Sequence, residues 1–561
     1  MTYDLKTVRG PRITGWKLKL VTSLSQKPLS GPAITRKMLA DVGIQDFRKR
    51  PPLAGSPTTQ PLPQLQDTPS GPPEIEDVLR EGLSSHTPGG GHRPPGIQDY
   101  AWAYRNGNTT PVDIAETILG SREEQLEQEM NLFIAQDPED MMRQAEASAE
   151  RHRRGAPLGV LDGVPVGIKD EVDQAGYPTT VGTSIHGRTN ATEDSSSVGR
   201  LRAQGALLIG KLNMHELGIG VTGINVKHGT PRNPYNPNHV TGGSSSASAA
   251  VVASGFCPLS LGADGGGSIR VPAALCGVVG LKPTFGRISE HGAAPLCWSV
   301  GHLGPMAFTA ADAATGYAAM AGVDPQDPNT STQPAVSLAG FVDPDCKGLR
   351  IGVYDDWFND ADEEVVQACT QAIDQLVALG AERVAIEIED LDLVRVAHLV
   401  SIATEMAASQ RAVPASEYHK YGCDTRLLLQ IAASLTGVDY VNARRHRDVL
   451  TQKFLALFNS VDVIATPTTG VTAPILHSDA LDAGETNLEL VTRMMRFAPA
   501  ANLTGLPGIS FPVGYGQSGL PIGLQLLGRP WDEQRLLALA HLADSFVSRK
   551  GPIRCYAPSL D

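Results

Sequence analysis

The stretch Thr241-Gly242-Gly243-Ser244-Ser245-Ser246-Ala247, taken up again at Gly262-Ala263-Asp264-Gly265-Gly266-Gly267-Ser268-Ile269-Arg270-Val271-Pro272, holds the densest run of unusual residues in the chain. Successive glycines before Ser268 let the backbone turn so that several N–H groups point into one space. Such donors suit an oxyanion, which forms when a nucleophile adds to an amide carbonyl. A serine at the end of that nest can attack a carbonyl held in it. A flexible Gly/Ser linker is the bland reading, and the flanking pattern disfavours it. Residues 245–254 read as a small-residue helix and residues 258–261 as a short apolar strand.

Outward from this segment, strand-like and helix-like runs alternate. Residues 195–204 read as a helix and 206–209 as a buried strand. Residues 349–354 (strand), 363–379 (helix) and 383–388 (strand) repeat the pattern, and strands are expected at 461–466, 508–513 and 522–527. Residues 111–153 read as helices, opened by Thr110-Pro111 with proline at the first helical position. This alternation predicts an α/β protein, with helices on both faces of a mixed sheet.

A serine hydroxyl needs a base to become a nucleophile. No GxSxG elbow occurs, and none of the 14 histidines sits in a recognisable triad motif. A lysine whose charged form is disfavoured by burial is the alternative. Gly163-Val164-Pro165-Val166-Gly167-Ile168-Lys169-Asp170 supplies one after an apolar run, although a lone lysine is ordinarily a solvated surface residue.

These motifs, with Cys276-Gly277-Val278-Val279-Gly280-Leu281-Lys282-Pro283, resemble the amidase signature family. The resemblance implies the amidase-signature fold: a mixed twisted β-sheet core covered by α-helices on both faces, with no cofactor and no metal. It implies a Ser–Ser–Lys triad in which Ser268 is the nucleophile and Ser244, held by a cis peptide, bridges it to Lys169. Gly265, Gly266, Gly267 and Ser268 would donate the oxyanion-hole N–H groups, with Gly218 near the substrate. Ser245, Asp264 and Arg270 would orient the loop. Ala247 departs from the glycine common there, a mild change at a helix start. Within the family, Arg9-Gly10-Pro11-Arg12-Ile13-Thr14-Gly15, Asp99-Tyr100-Ala101-Trp102-Ala103-Tyr104-Arg105 and Thr466-Pro467-Thr468-Thr469-Gly470 are similar to plant-type fatty acid amide hydrolases. That likeness implies long-chain N-acyl amides as substrates, an N-terminal arm that helps form a substrate channel, and a homodimer.

The composition is compatible with this. The chain has 561 residues, 41% of them hydrophobic, and a net charge of -13, which disfavours a nucleic-acid partner. Its seven cysteines are scattered without CxxC spacing, which points to reduced thiols in a cytoplasmic protein. No apolar run is long enough to cross a bilayer. Residues 1–50 hold eleven Lys or Arg against three Asp, interleaved with Trp16, Leu18, Leu20 and Val21. Such a segment can lie peripherally on an anionic membrane, or pack on the protein's own body or on another copy of the chain. The dense prolines of residues 51–73 predict an extended strap, with a helix expected at 74–83. The expected division is an arm and strap over residues 1–96 and a catalytic domain over 97–561.

Two motifs are decoys. Gly218-Ile219-Gly220-Val221-Thr222-Gly223 matches a dinucleotide fingerprint but is followed by turn formers, not a helix. His215-Glu216 lacks the second histidine of a zinc-protease motif. The expected activity is therefore amide hydrolysis. Rival readings are a broad amidase or aryl-acylamidase on small hydrophobic amides, the glutaminase-type component of a tRNA amidotransferase complex, and a catalytically silent binding protein.

Overall fold

The computed structural model describes residues 3–51, 53, 91–123, 129–341 and 345–560. Nearly all of the expected strap and all of the expected helix at 74–83 lie outside the described residues.

Among the described residues, eleven strands build one sheet: β1 (Phe133–Ala135), β2 (Pro165–Lys169), β3 (Leu207–Leu212), β4 (Leu259–Ala263), β5 (Val279–Lys282), β6 (Leu303–Ala307), β7 (Arg350–Val353), β8 (Glu382–Ala385), β9 (Val463–Pro467), β10 (Gly508–Tyr515) and β11 (Pro521–Gly528). Their order across the sheet is β1-β3-β2-β4-β6-β5-β10-β11-β9-β7-β8. β2 runs parallel to both β3 and β4, while β4 and β5 are antiparallel to β6, so the sheet is mixed. Strands β2 to β6 are buried along their whole length, which is why their sequences read as continuous apolar runs and not as alternating ones. The main hydrophobic core wraps this sheet through residues such as Val166, Leu208, Leu261 and Tyr317. β8, at the edge, is largely open to solvent.

The expected α/β architecture is therefore observed, with local differences: β5 and β6 were not expected, and β1 interrupts a run expected to be helical. The run 111–153 is not helical throughout: helices Pro111–Glu123 and Pro138–Arg153 are separated by β1. Asn131 adopts a left-handed backbone at φ 52°. Asp137 then starts the next helix afresh, its carboxylate accepting the N–H groups of Glu139 and Asp140. The three residues between are long enough to pair with β3.

The N-terminal arm folds as helices Gly15–Ser25, Gly31–Asp41 and Ile44–Lys49. It packs on the protein's own body. Ile13–Thr14 pairs antiparallel with Glu485–Thr486, and Arg12 bridges Asp479 at 2.6 Å and Glu485 at 2.7 Å. Leu18 is fully buried with Cys423 and Leu427, and Ile44 and Phe47 enter a second core with Val396 and Val400. Trp16, Leu20 and Leu29 on the outer side stay exposed. Among the described residues, no helix is long and apolar enough to cross a membrane.

Candidate active site

Lys169 is the last residue of β2, and the loop carrying Asp264 to Ser268 leaves the end of the neighbouring parallel strand β4. The two carboxyl ends thus share one edge of the sheet, where open α/β sheets place their ligands. The lysine is fully buried because its strand is. Its Nζ donates to Ser244 Oγ at 2.8 Å and to the Ala263 carbonyl at 3.3 Å. Glu171 Oε2 stands 2.7 Å from the same nitrogen. Three acceptors around one amine match the three donors of an ammonium. Besides burial, therefore, a carboxylate two residues along the chain faces Lys169.

The Gly243–Ser244 peptide is cis. Ser245 ties the two serine-bearing segments together: its N–H donates to the Ser268 carbonyl at 3.2 Å, and its hydroxyl donates to the Ala263 carbonyl at 3.0 Å. Asp264 and Arg270 form a fully buried pair. Arg270 also donates to Gln525 Oε1 at 2.6 Å and Asn502 Oδ1 at 2.5 Å, while the Asn502 amide donates to the Asp264 carbonyl at 2.9 Å. Burial pushes the Asp264 carboxyl up, but the charge and hydrogen bonds of Arg270, aided by Lys282 and Asn502, hold it well below the usual carboxylate range. Ser245, Asp264 and Arg270, the three residues expected to orient the loop, are thus all hydrogen-bonded within or against it.

The glycine nest is sharper than its sequence. Gly267 has φ +114°, and a Cβ there would sit 2.7 Å from that of Ala498, so only glycine fits. Its N–H, expected to face an oxyanion, instead donates to Asp264 Oδ1 at 2.6 Å. Among the described residues, the N–H groups of Gly265, Gly266 and Ser268 take no partner, and they are the donors left to the site. His398 Nε2 lies 2.7 Å from the Gly265 carbonyl and so must carry the proton it donates. Burial pushes His398 down to about 4, so the ring is neutral at neutral pH.

Ser268 and Gly266 line a cavity of about 250 Å³. Its wall is largely apolar, with Ile219, Leu399, Ile402, Met406, Leu428 and Met495, and Leu5, Val42 and Ile44 of the arm complete it. Gly218 lines the same cavity, and the GxGxxG stretch that follows it is a wall loop, not a strand–helix turn. A second cavity of about 230 Å³ is lined by Glu171, Gly265, Glu290, Cys297, His302 and Asp327, among others. Among the described residues, no group of three or more His, Cys, Asp or Glu is arranged to hold a metal ion.

Sequence reasoning did not find Glu171, His398, Asn502 or Gln525. Glu171 is brought to Lys169 by the turn that follows β2, closed by the Val172 N–H donating to the Lys169 carbonyl at 3.1 Å. The other three arrive from segments 130 or more residues away, with no motif of their own.

Residues 115–537 match the family model described as Amidase. The chain is 39% identical to the fatty acid amide hydrolase of Arabidopsis thaliana, over 96% of this chain and 93% of that protein. It is 38% identical to the fatty acid amide hydrolase of Medicago truncatula, over 99% of this chain and 96% of that protein. Among solved structures, the peptide amidase of Stenotrophomonas maltophilia superposes with a TM-score of 0.69 at 27% identity, covering 82% of this chain and 98% of that one. With one family model spanning most of its length and full-length relatives reaching beyond it at both ends, the chain belongs to the amidase signature family and is an amide-hydrolysing enzyme.

Proposed function

We propose that the enzyme cleaves long-chain N-acyl amides, of the N-acylethanolamine and fatty acid amide kind, to a fatty acid and an amine. The observation that carries this is the largely apolar cavity with Ser268 in its lining. An acyl chain lying along Ile402, Leu399 and Met495 presents its carbonyl to the Ser268 hydroxyl. The identity with plant relatives named for this substrate class supports the same reading.

In the reaction, Ser268 Oγ attacks the carbonyl carbon, its proton passing through Ser244 to the Lys169 amine, which lies 2.8 Å from Ser244 Oγ. The tetrahedral oxyanion is stabilised by the N–H groups of Gly265, Gly266 and Ser268. The relayed proton goes to the leaving nitrogen as the C–N bond breaks, leaving an acyl ester on Ser268. Water, activated by the same relay, then releases the acid and restores the serine.

A small polar amide would leave this apolar wall unfilled, which favours the long acyl chain over the glutaminase reading. The test is a hydrolysis panel of amides graded in acyl length. A steep rise in kcat/KM with chain length supports the proposal, and a flat profile contradicts it.

The outer face of the arm fits an anionic membrane as the source of such substrates. Trp16, Leu20 and Leu29 are exposed there, with Lys17, Lys19 and Lys27 exposed beside them.

A further inference from the structure

The base proposed for Ser268 has a counter-ion in direct contact. We propose that Glu171 is a positioning residue that holds Lys169 as an ammonium in the resting enzyme and thereby sets the pH above which the Ser268 relay operates. This deepens the reading of Lys169 as the base and rests on it.

The contact is close and sheltered: Glu171 Oε2 is 2.7 Å from Nζ, the lysine side chain is wholly buried, and that of Glu171 is 11% exposed. In such surroundings an anion in contact favours the charged amine strongly, whereas burial alone would favour the neutral one. The Ser244 hydroxyl and the Ala263 carbonyl accept the other two hydrogens. A lysine bonded in this way cannot take a proton from Ser244 until it loses one of its own.

The remaining groups around the pair do not compete for this role. His215, from the loop after β3, is pushed down to about 4 by burial and then by the charge of Lys169, so it is neutral. Glu290 is pushed up to about 8 by burial and then by Asp327, Glu171 and Glu405, so it carries its proton at neutral pH. Cys297 is raised by burial first and by Glu171, Glu290 and Glu405 after it, so it stays a thiol. Asp170, one residue away, is spent on Lys211 at 3.1 Å and on the N–H groups of Thr180 and Gly182. Glu405 itself accepts from Ser299 N–H and Tyr440.

The second cavity gives the released proton a way out. Glu171, Glu290 and Asp327 line it, as does His302, whose Nε2 is buried and without a hydrogen-bond partner among the described residues. At about 230 Å³ and with these carboxyl and imidazole groups in its lining, the cavity has room for water. One proton moves from the Lys169–Glu171 pair to water there, leaving a neutral amine facing Ser244; no other species changes.

The experiment measures the rate of Ser268 labelling by a fluorophosphonate against pH, alongside kcat/KM on a long-chain acyl amide. Glu171→Gln keeps the shape and removes the charge. Its acidic limb is expected to move down by about one pH unit or more, since a contacting opposite charge shifts a pKa by roughly 1–3 units. Glu171→Asp, one methylene shorter, is expected to move it down by less, and serves if the amide variant does not fold. Glu290→Gln is expected to leave the limb in place. An acidic limb unmoved in the Glu171 variants overturns the proposal, whatever happens to the plateau. Labelling that persists in Ser268→Ala instead overturns the site reading beneath it, so the two failures are told apart.

Discussion

Arg270 grips Asp264 through two parallel hydrogen bonds, Nε to Oδ2 at 3.0 Å and Nη2 to Oδ1 at 3.1 Å, with both side chains wholly buried. The same carboxylate accepts the N–H groups of Gly267 and Ile269, on either side of Ser268. The pair therefore fixes the backbone that carries the nucleophile without touching substrate. Asp264→Asn leaves the Arg270 charge buried and unpaired, a change that costs about 3–5 kcal/mol. Urea denaturation is expected to show that loss, with slower labelling of Ser268 in the fraction that remains folded.

Gly267→Ala is expected to lower both stability and turnover. The new methyl group meets Ala498 at 2.7 Å on a backbone at φ +114°. Strain of this kind costs on the order of 1–3 kcal/mol, and relieving it rotates the neighbouring N–H donors away from the carbonyl. A melt and a kcat measurement on the same sample check both effects.

A pH dependence of stability follows from Glu216. Burial pushes its carboxyl up to about 7 from an ordinary 4.5, while Gly422 donates its N–H to Oε2 at 2.7 Å. The folded state thus binds more protons than the unfolded state across that window. The contribution is fully present below about 4.5 and is lost as the pH rises through about 7. Glu216→Gln cannot ionise, so its stability relative to the parent enzyme is expected to rise from pH 4.5 to pH 8. Denaturant midpoints at both pH values measure it; a constant difference contradicts the assignment.

Binding to vesicles tests the outer face of the arm. The enzyme is expected to co-sediment with phosphatidylserine-containing vesicles and to be released by salt. Replacing Trp16, Leu20 and Leu29 by serine is expected to abolish co-sedimentation while leaving hydrolysis of a detergent-dispersed amide unchanged in kcat.

β5 and β6 went unread, whereas β3 and β4 were legible because they are buried along their whole length and appear as apolar runs. β1 was not, since three residues between two helices give no period to read. The strand order was also beyond the sequence, because β10 and β5 become neighbours only through long-range pairing. In the site, the glycines and serines were legible as a local pattern, and so was the loop-orienting role of Asp264 and Arg270 through family likeness. What escaped were the groups that act on them across space: Glu171 on Lys169, His398 on the Gly265 carbonyl, and Asn502 on Asp264. The misassigned Gly267 donor belongs with these, because only the fold shows Asp264 claiming that N–H.

Ser268 as the nucleophile in the lining of an apolar cavity is the central claim. The direct measurement is mass-spectrometric mapping of the adduct formed with an alkyl fluorophosphonate carrying a long chain. The expected result is a single modified residue, Ser268, protected by a long-chain acyl amide and lost together with hydrolysis in Ser268→Ala. An adduct on another residue, or hydrolysis at the parent rate in Ser268→Ala, would contradict it.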